Sequence, residues 1–566
     1  MAASESATPA PLPYDPLAWP ALSLEQRARG ACQDWALSGY GAPAAAYVFY
    51  AVKLCLYFAG FFLFCYLTPG LGGVTTFGEW WSVPIAFQKA ILWSMLYEGM
   101  GLGCGSGPLA GHYSPPIGGV LYFARPGTIK LPPFPGIPVF GGARRSWLDV
   151  MLYVAVLASL VRALIAPAIG LSELLPIAVL LPLLALTDRT LFLVFRGEHY
   201  WTMTMVFLLA SNWIAGAKAV QLALWFWAGV SKLNHHFPSV VCVMTSNNPF
   251  LRSPALRKRM YRDFPNDLRP SNVAKLMAAK GIALELSVPL VLAFAPEGWP
   301  LVVGIAMMLV LHTFITHNVP MGVPIEWNFM VVYGAFALFW AHPEVSAFQV
   351  GSTPLAVLLV VMLIGIPLFG NLFPERMSFL MAMRYYAGNW AMSVWLFRGE
   401  SVRKLERLTR SAPLPDDQLP AEYDETMRNV LRARTMAFRL MHLHGRALPE
   451  LIPRAVPRFE DYEYMEGELA ASIALGWNFG DGHFHGEQLL RAVQAQCGYE
   501  PGELRVVCVE SQPLGRSTLA YKILDAATGV VESGTLEIEA LRRRQPWAVT
   551  PARPTPLPVP PIASEA

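Results

Sequence analysis

Lys232 stands in the stretch Trp225-Phe-Trp-Ala-Gly-Val-Ser-Lys-Leu-Asn-His-His236, where an apolar run gives way to a cation and two histidines. Read as a helix, Gly229, Lys232 and His236 fall on one face, three and four residues apart. Glycine lets a ligand approach the backbone. A lysine in a low-dielectric pocket can shed its proton and act as a base. The structural alternative is a lysine snorkelling from a helix end beside two loop histidines. Three other segments set ionisable groups in or beside apolar runs: Glu198-His199-Tyr200-Trp201, Leu284-Glu285-Leu286-Ser287, and Leu311-His312, ten residues before Gly322. Singly they read as an interfacial anchor, a cap or partner for Lys280, and a core histidine. If 200–233 is a hairpin, all four lie towards one membrane face. A shared polar pocket of His199, Lys232, Glu285 and His312 is then expected, because ionisable groups inside a membrane usually have a role.

A second cluster is Gly476-Trp-Asn-Phe-Gly-Asp-Gly-His-Phe-His-Gly-Glu487. On an extended strand His483 and His485 would point the same way, with Asp481 near, as weak ligands for zinc or iron. A glycine-rich turn before a helix at 486–497 is preferred, and no metal is expected.

These groups need elements to position them. The chain has 566 residues, 54% hydrophobic and only 15% charged, against about a quarter charged in soluble domains. Runs at 45–68, 147–169 and 353–373 carry at most two charges each. Roughly twenty apolar residues at 1.5 Å per residue span a bilayer core, and only a helix satisfies its backbone there. The expected fold is an α-helical polytopic membrane protein of about ten transmembrane helices with a small C-terminal α/β soluble domain. Spans are expected near 45–68, 83–103, 147–169, 173–195, 279–295, 299–317, 326–342 and 354–374. The stretch 200–233 is either one tilted helix or a hairpin turning at Gly216-Ala217-Lys218. Residues 1–44 read as a disordered lead with an interfacial helix, and 45–397 as the membrane domain, with 385–397 in the interface. Residues 398–545 read as the α/β domain, with a helix at 423–444 and strands at 504–510, 517–525 and 530–540. Residues 546–566 are a Pro-rich tail.

Loop charge orients the chain. Loops 69–82, 170–172, 296–298 and 343–353 have no Lys or Arg. Loop 104–146 has Arg125, Lys130, Arg144 and Arg145, and loop 234–278 has seven basic residues. With a hairpin at 200–233, this puts both termini in the cytoplasm of a multi-pass cell-membrane protein. A net charge of +3 without a basic-aromatic motif argues against nucleic acid. Seven scattered cysteines without a CxxC argue against a disulfide framework or thiolate zinc site.

Ala228-Gly229-Val230-Ser231-Lys232-Leu233 resembles the Ala-Gly-Val-Lys-Lys-Leu segment of vitamin K-dependent gamma-carboxylase and of its bacterial relatives, the horizontally transferred transmembrane (HTTM) domain proteins. Leu284-Glu285-Leu286-Ser287 is similar to that family's Leu-Asp-Leu-Ser. Glu198-His199 is similar to its Asn-His helix opening, and His312 with Gly322 keeps its His-to-Gly spacing. The resemblance covers about 195–345. It implies that Lys232 deprotonates a hydroquinone, that His199 and His312 act as polar or electrostatic partners, and that Glu285 is a supporting carboxylate. Gly229, His236 and Gly322 are then expected around the cofactor, a menaquinol-type hydroquinone in a bacterium. Departures are Ser231 for the first lysine of the pair and Asn234-His235-His236-Phe237 for an acidic stretch. The C-terminal unit resembles that of a bacterial membrane-protein family that pairs such a tail with such a core.

Two functions are weighed. One is a carboxylase-like membrane enzyme using a quinol or another lipid-phase substrate. The other is a non-catalytic binding or transport protein for a lipid or envelope precursor, whose soluble tail recruits a protein partner.

Overall fold

The computed structural model describes residues 11–41, 44–103, 118–317, 325–385, 388–410, 413–418, 423–477 and 482–549. Gly322 and Asp481 lie outside the described residues. In chain order the main helices are α1 (Leu24–Ser38), α2 (Ala44–Tyr66), α3 (Pro84–Gly99), α4 (Trp147–Ile165), α5 (Leu171–Thr187), α6 (Tyr200–Leu209), α7 (Trp213–Val230), α8 (Phe237–Asn247), α9 (Asn272–Phe294), α10 (Trp299–Thr316), α11 (Ile325–Gly334, continued by the π-helix Ala335–Trp340) and α12 (Thr353–Leu372). Of these, α2, α4, α9, α10 and α12 are long and apolar enough to cross a membrane. The expectation of about ten spans is not met on length, since α5, α6 and α11 are apolar but shorter. Leu171, Leu175, Val179 and Leu183 form an exposed i, i+4 row on α5. In water such a row would be a liability; in hydrocarbon it is the outer face a helix needs.

The stretch 200–233 holds two helices that turn at Ala210–Asn212, six residues earlier than the glycine suggested. Lys218, expected at the hairpin tip, is buried within α7. Its ammonium donates to the carbonyls of His342 (2.8 Å) and Val345 (2.6 Å) in the loop after α11.

Beyond α12 the chain builds a five-stranded antiparallel sheet. Its strands, in the order β4-β3-β5-β6-β7, are β3 (Met392–Arg398), β4 (Tyr462–Glu466), β5 (Leu504–Val509), β6 (Thr518–Asp525) and β7 (Gly529–Glu537). A short hairpin, β1 (Tyr261–Asp263) and β2 (Asp267–Pro270), precedes α9. The longer helices of this part are α13 (Glu425–Met441), α14 (Gly467–Leu475) and α15 (Glu487–Cys497). Strand β3 lies in the stretch expected at the membrane interface. It is buried on both faces from Met392 to Phe397, so it reads as an unbroken apolar run and not as the alternation of a half-buried strand.

The sheet is a wall between two cores. Trp395, Phe397, Leu504 and Val506 face a core continuous with the membrane helices. Val394, Leu396, Val507 and Ile523 face a second core, which also takes in α1, α8 and α13. Helix α1 packs one face into this second core. Its Ala28, Ala31, Cys32 and Trp35 are fully buried, and Asp34 pairs with Arg434 of α13 at 2.8 Å. A fragment beginning at 398 would lack both β3 and α1.

The basic loops and the C-terminal unit lie at one end of the bundle. Tyr122 donates to the carbonyl of Ala474 (2.5 Å), Gln488 to that of Pro132 (2.9 Å) and Asn234 to that of Gln512 (3.1 Å). The backbone N–H of Leu268 donates to Gln545 (3.0 Å).

Candidate functional site

Lys232 follows the last turn of α7, and Glu285 faces it from α9. The ammonium donates to Glu285 Oε1 (2.6 Å) and to the carbonyls of Ala228 (3.2 Å) and Tyr385 (3.3 Å). Its three donors are all engaged. Both partners are about 4% exposed, so the pair is a buried clamp between α7 and α9. Gly229 lets these helices close: a Cβ there would stand 2.7 Å from Leu286 Cδ2.

Tyr385 carries the network onward. Its hydroxyl donates to Glu198 Oε1 (3.0 Å), which also accepts from Arg196 Nε (2.9 Å). The Arg196 guanidinium lies over the rings of Trp327 (5.0 Å) and Tyr385 (5.4 Å). Its φ of 53° places a non-glycine residue in the left-handed region, a strain found where surroundings fix a side chain for a purpose. Trp327 donates to His199 Nδ1 (3.0 Å), and the next residue, Asn328, accepts from His312 Nδ1 (2.8 Å). His312 Nε2 accepts from Trp225 (2.8 Å). Both ring nitrogens of His312 are thus engaged, which holds it as the neutral Nδ1–H tautomer. Glu98 of α3 and Glu326 of α11 meet beside Gly103, where a Cβ would run into Glu98 Oε2 and stand 3.0 Å from Glu326 Oε1.

The structure brings Lys232 and Glu285 into contact, and joins them to His199 and His312 through Tyr385, Trp327 and Asn328. It does not bring Lys232 within hydrogen-bond reach of either histidine. His236 lies elsewhere, with its ring 5.8 Å from that of His444 in the second core. Sequence reasoning missed Glu98, Arg196 and Glu326, although the signal was available: each is an ionisable residue in or at the end of an apolar run. Among the described residues, Glu98 Oε1, Glu198 Oε2, His199 Nε2 and Tyr200 Oη have no hydrogen-bond partner. This leaves capacity for water or a polar ligand group.

The glycine-rich motif before α15 forms a 3-10 turn, Gly482–Phe484, and its two histidines diverge. His485 is buried against Ser393 Oγ (2.6 Å), while His483 Nε2 meets Glu510 (3.1 Å). Among the described residues, no group of three or more His, Cys, Asp or Glu stands close enough to hold a metal ion.

His483 opens onto a cavity of about 710 Å³ between the membrane helices and the sheet. Phe134, Leu186, Leu193 and Met381 are among its apolar lining, and Arg189, His483, Glu487, Glu510 and Lys522 are among its polar lining. Phe134 and Leu186 are themselves exposed, beside the lipid-facing row of α5. Burial raises the pKa of Glu510, but His483, the Ser511 N–H and Arg384 outweigh it and hold the carboxyl down at about 2. Burial, with Glu510 beside it, pushes the Cys508 thiol up to about 12, so it is not a thiolate nucleophile at neutral pH.

A family described as transmembrane protein of unknown function (DUF3556) matches residues 7–559. The chain belongs to this family. No curated protein and no solved structure matches it. The DUF3556 match covers nearly the whole chain, and neither a carboxylase nor an HTTM family matches, so the resemblance drawn from the short motifs is overturned. The physical reason is visible in this DUF3556 chain. Gly229 answers the close approach of α7 to α9, and Lys232 and Glu285 answer each other, so packing alone explains the residue types of the motif. The menaquinol-type cofactor, which rested on the resemblance, loses its support with it.

Proposed function

We propose that this protein is a membrane-embedded binding protein for an amphiphilic ligand, a lipid or lipid-linked molecule, whose head group is received under the C-terminal sheet. The observation that carries this is the mixed lining of the 710 Å³ cavity, where the exposed apolar side chains Phe134 and Leu186 share the space with Arg189, His483, Glu487, Glu510 and Lys522. Its size suits a small-molecule site, and a few convergent polar groups against an apolar wall are what such sites use. Arg189, Arg376 and Lys522 are matched by Glu375, Glu487 and Glu510, which favours a hydroxylated or zwitterionic head over a strongly anionic one. The buried network has a supporting role: Lys232 and Glu198 hold Tyr385, at the end of the segment whose Met377, Ser378 and Met381 wall the cavity.

Native mass spectrometry of the full chain in detergent tests this. The wild type is expected to keep one class of bound amphiphile, and Met381→Trp, which fills the cavity, to lose most of it without a fall in folded yield. Equal retention by both would remove the cavity from the function.

The five long helices and α3, α5, α6, α7 and α11 together account for a ten-helix arrangement, with the end bearing the C-terminal unit in the cytoplasm. The basic residues of 118–146 and 234–278 at that end support this. A cysteine placed at the exposed Ser253 is expected to react with impermeant thiol reagents only in inside-out vesicles; labelling in intact cells would reverse the orientation.

A further inference from the structure

A second cavity, of about 310 Å³, lies between the first turns of α9, the β1–β2 hairpin and the segment after β7. Six cations line it: Arg262, Arg269, Lys275, Arg446, Arg542 and Arg543. The one carboxylate in the lining, Glu539, accepts from Arg542 (2.6 Å) and Arg543 (3.0 Å). Arg269 is paired with Asp267. Arg262, Lys275 and Arg446 remain without a carboxylate partner among the described residues.

Arg446 is the telling group. It is 2% exposed, yet among the described residues its acceptors are the carbonyl of Arg544 (3.2 Å) and the hydroxyl of Ser239 (3.5 Å). Its Nε has no partner among the described residues. A buried guanidinium is normally matched by an anion, because taking the charge out of water is costly otherwise. Burial pulls it down to about 10, which still leaves it charged at neutral pH.

The position of the cavity identifies the source of the anion. Lys275 and Ile282, on the membrane-spanning helix α9, both line it, and they are separated along the axis by about 10 Å at the usual rise. Val273 and Leu276, in the same first turns, are exposed apolar side chains. The cavity therefore extends from a cationic mouth along the first turns of a helix apolar enough to cross a membrane, beside exposed apolar side chains.

We propose that this cavity binds the phosphate-bearing head group of an anionic membrane lipid, with Arg446, Arg262 and Lys275 as its charge partners and the acyl chains lying along the first turns of α9. The site is separate from the 710 Å³ cavity and does not depend on the function proposed for it.

The test uses the full-length protein in detergent, titrated with phosphatidylglycerol, phosphatidylcholine or inorganic phosphate and read by native mass spectrometry. Arg262→Gln/Lys275→Gln removes two exposed cations without touching a buried pair. Wild type is expected to prefer phosphatidylglycerol to phosphatidylcholine, and the double variant to lose that preference by about tenfold or more. Arg446→Gln is expected to lose it also if it folds; the double variant decides the matter if it does not. Equal binding of the two lipids, or a preference unchanged in the double variant, would overturn the site. Displacement of phosphatidylglycerol by inorganic phosphate at similar concentration would overturn the lipid as its source.

Discussion

Lys232→Met is expected to destabilise the protein by about 3–5 kcal/mol, because it leaves the Glu285 carboxylate buried and unmatched. The three donors of Lys232 are taken by Glu285, Ala228 and Tyr385. Loss of the cation also releases Tyr385, and through it Glu198 and Arg196. Lys232→Met/Glu285→Leu should recover most of the loss, since an apolar pair of similar volume replaces a buried ion pair with little penalty. Unfolding midpoints in detergent, read by tryptophan fluorescence, give the comparison. A single Met variant as stable as wild type, or a double variant worse than either single one, would remove the clamp from the account.

Asp188→Ala is the second large effect, and it acts on the wall of the cavity. Asp188 is fully buried between α5 and the short helix Arg189–Val194. It accepts from the N–H of Thr190 (3.0 Å), from the N–H of Leu131 (3.2 Å) and from Arg145 (2.6 Å). These bonds cap the short helix and pin the 127–145 loop, which carries Phe134, against the bundle. Removing the carboxylate leaves the buried Arg145 without an anion, held by Thr128 Oγ1 (2.6 Å) and the rings of Tyr122 and Phe123. The expected loss is about 3–5 kcal/mol, with Asp188→Asn intermediate because its amide oxygen still serves the two N–H donors. Limited proteolysis should cut the 127–145 loop in Asp188→Ala and spare it in wild type. An uncut loop in a folded Ala variant would mean that other contacts hold it.

The parts of this architecture that are legible in the sequence carry a local pattern or local punctuation. Strand β6 alternates over Thr518–Lys522, β5 shows through its valines although both its faces are buried, and α15 has a helical period with glycines at both ends, so each is placed to within about a residue. Strand β3 is not, because burial on both faces erases alternation and leaves Met392–Phe397 looking like a short membrane segment. Helix α1 is legible as a helix, but its packing into a core is not. Its buried face is mostly Ala28, Ala31, Cys32 and Ala36, too small to signal a core, and its one large anchor is Trp35. Within the network, Lys232 and Glu285 stood out because they interrupt apolar runs. Their pairing to each other, and not to the histidines, depends on how α7 and α9 cross, which short motifs do not encode. Glu98, Arg196 and Glu326 carried the same signal at helix ends, where a charge reads as a loop boundary.

The central claim is that a lipid-phase amphiphile occupies the space between bundle and sheet. A photoreactive amino acid placed at Met381, with a second at Val179 on the lipid-facing row of α5 as control, tests it in native membranes. After illumination, mass spectrometry of the modified peptides should find at Met381 one class of amphiphile that is rare at Val179, where bulk phospholipid dominates. The same lipid profile at both positions, or only protein-to-protein adducts at Met381, would contradict the account.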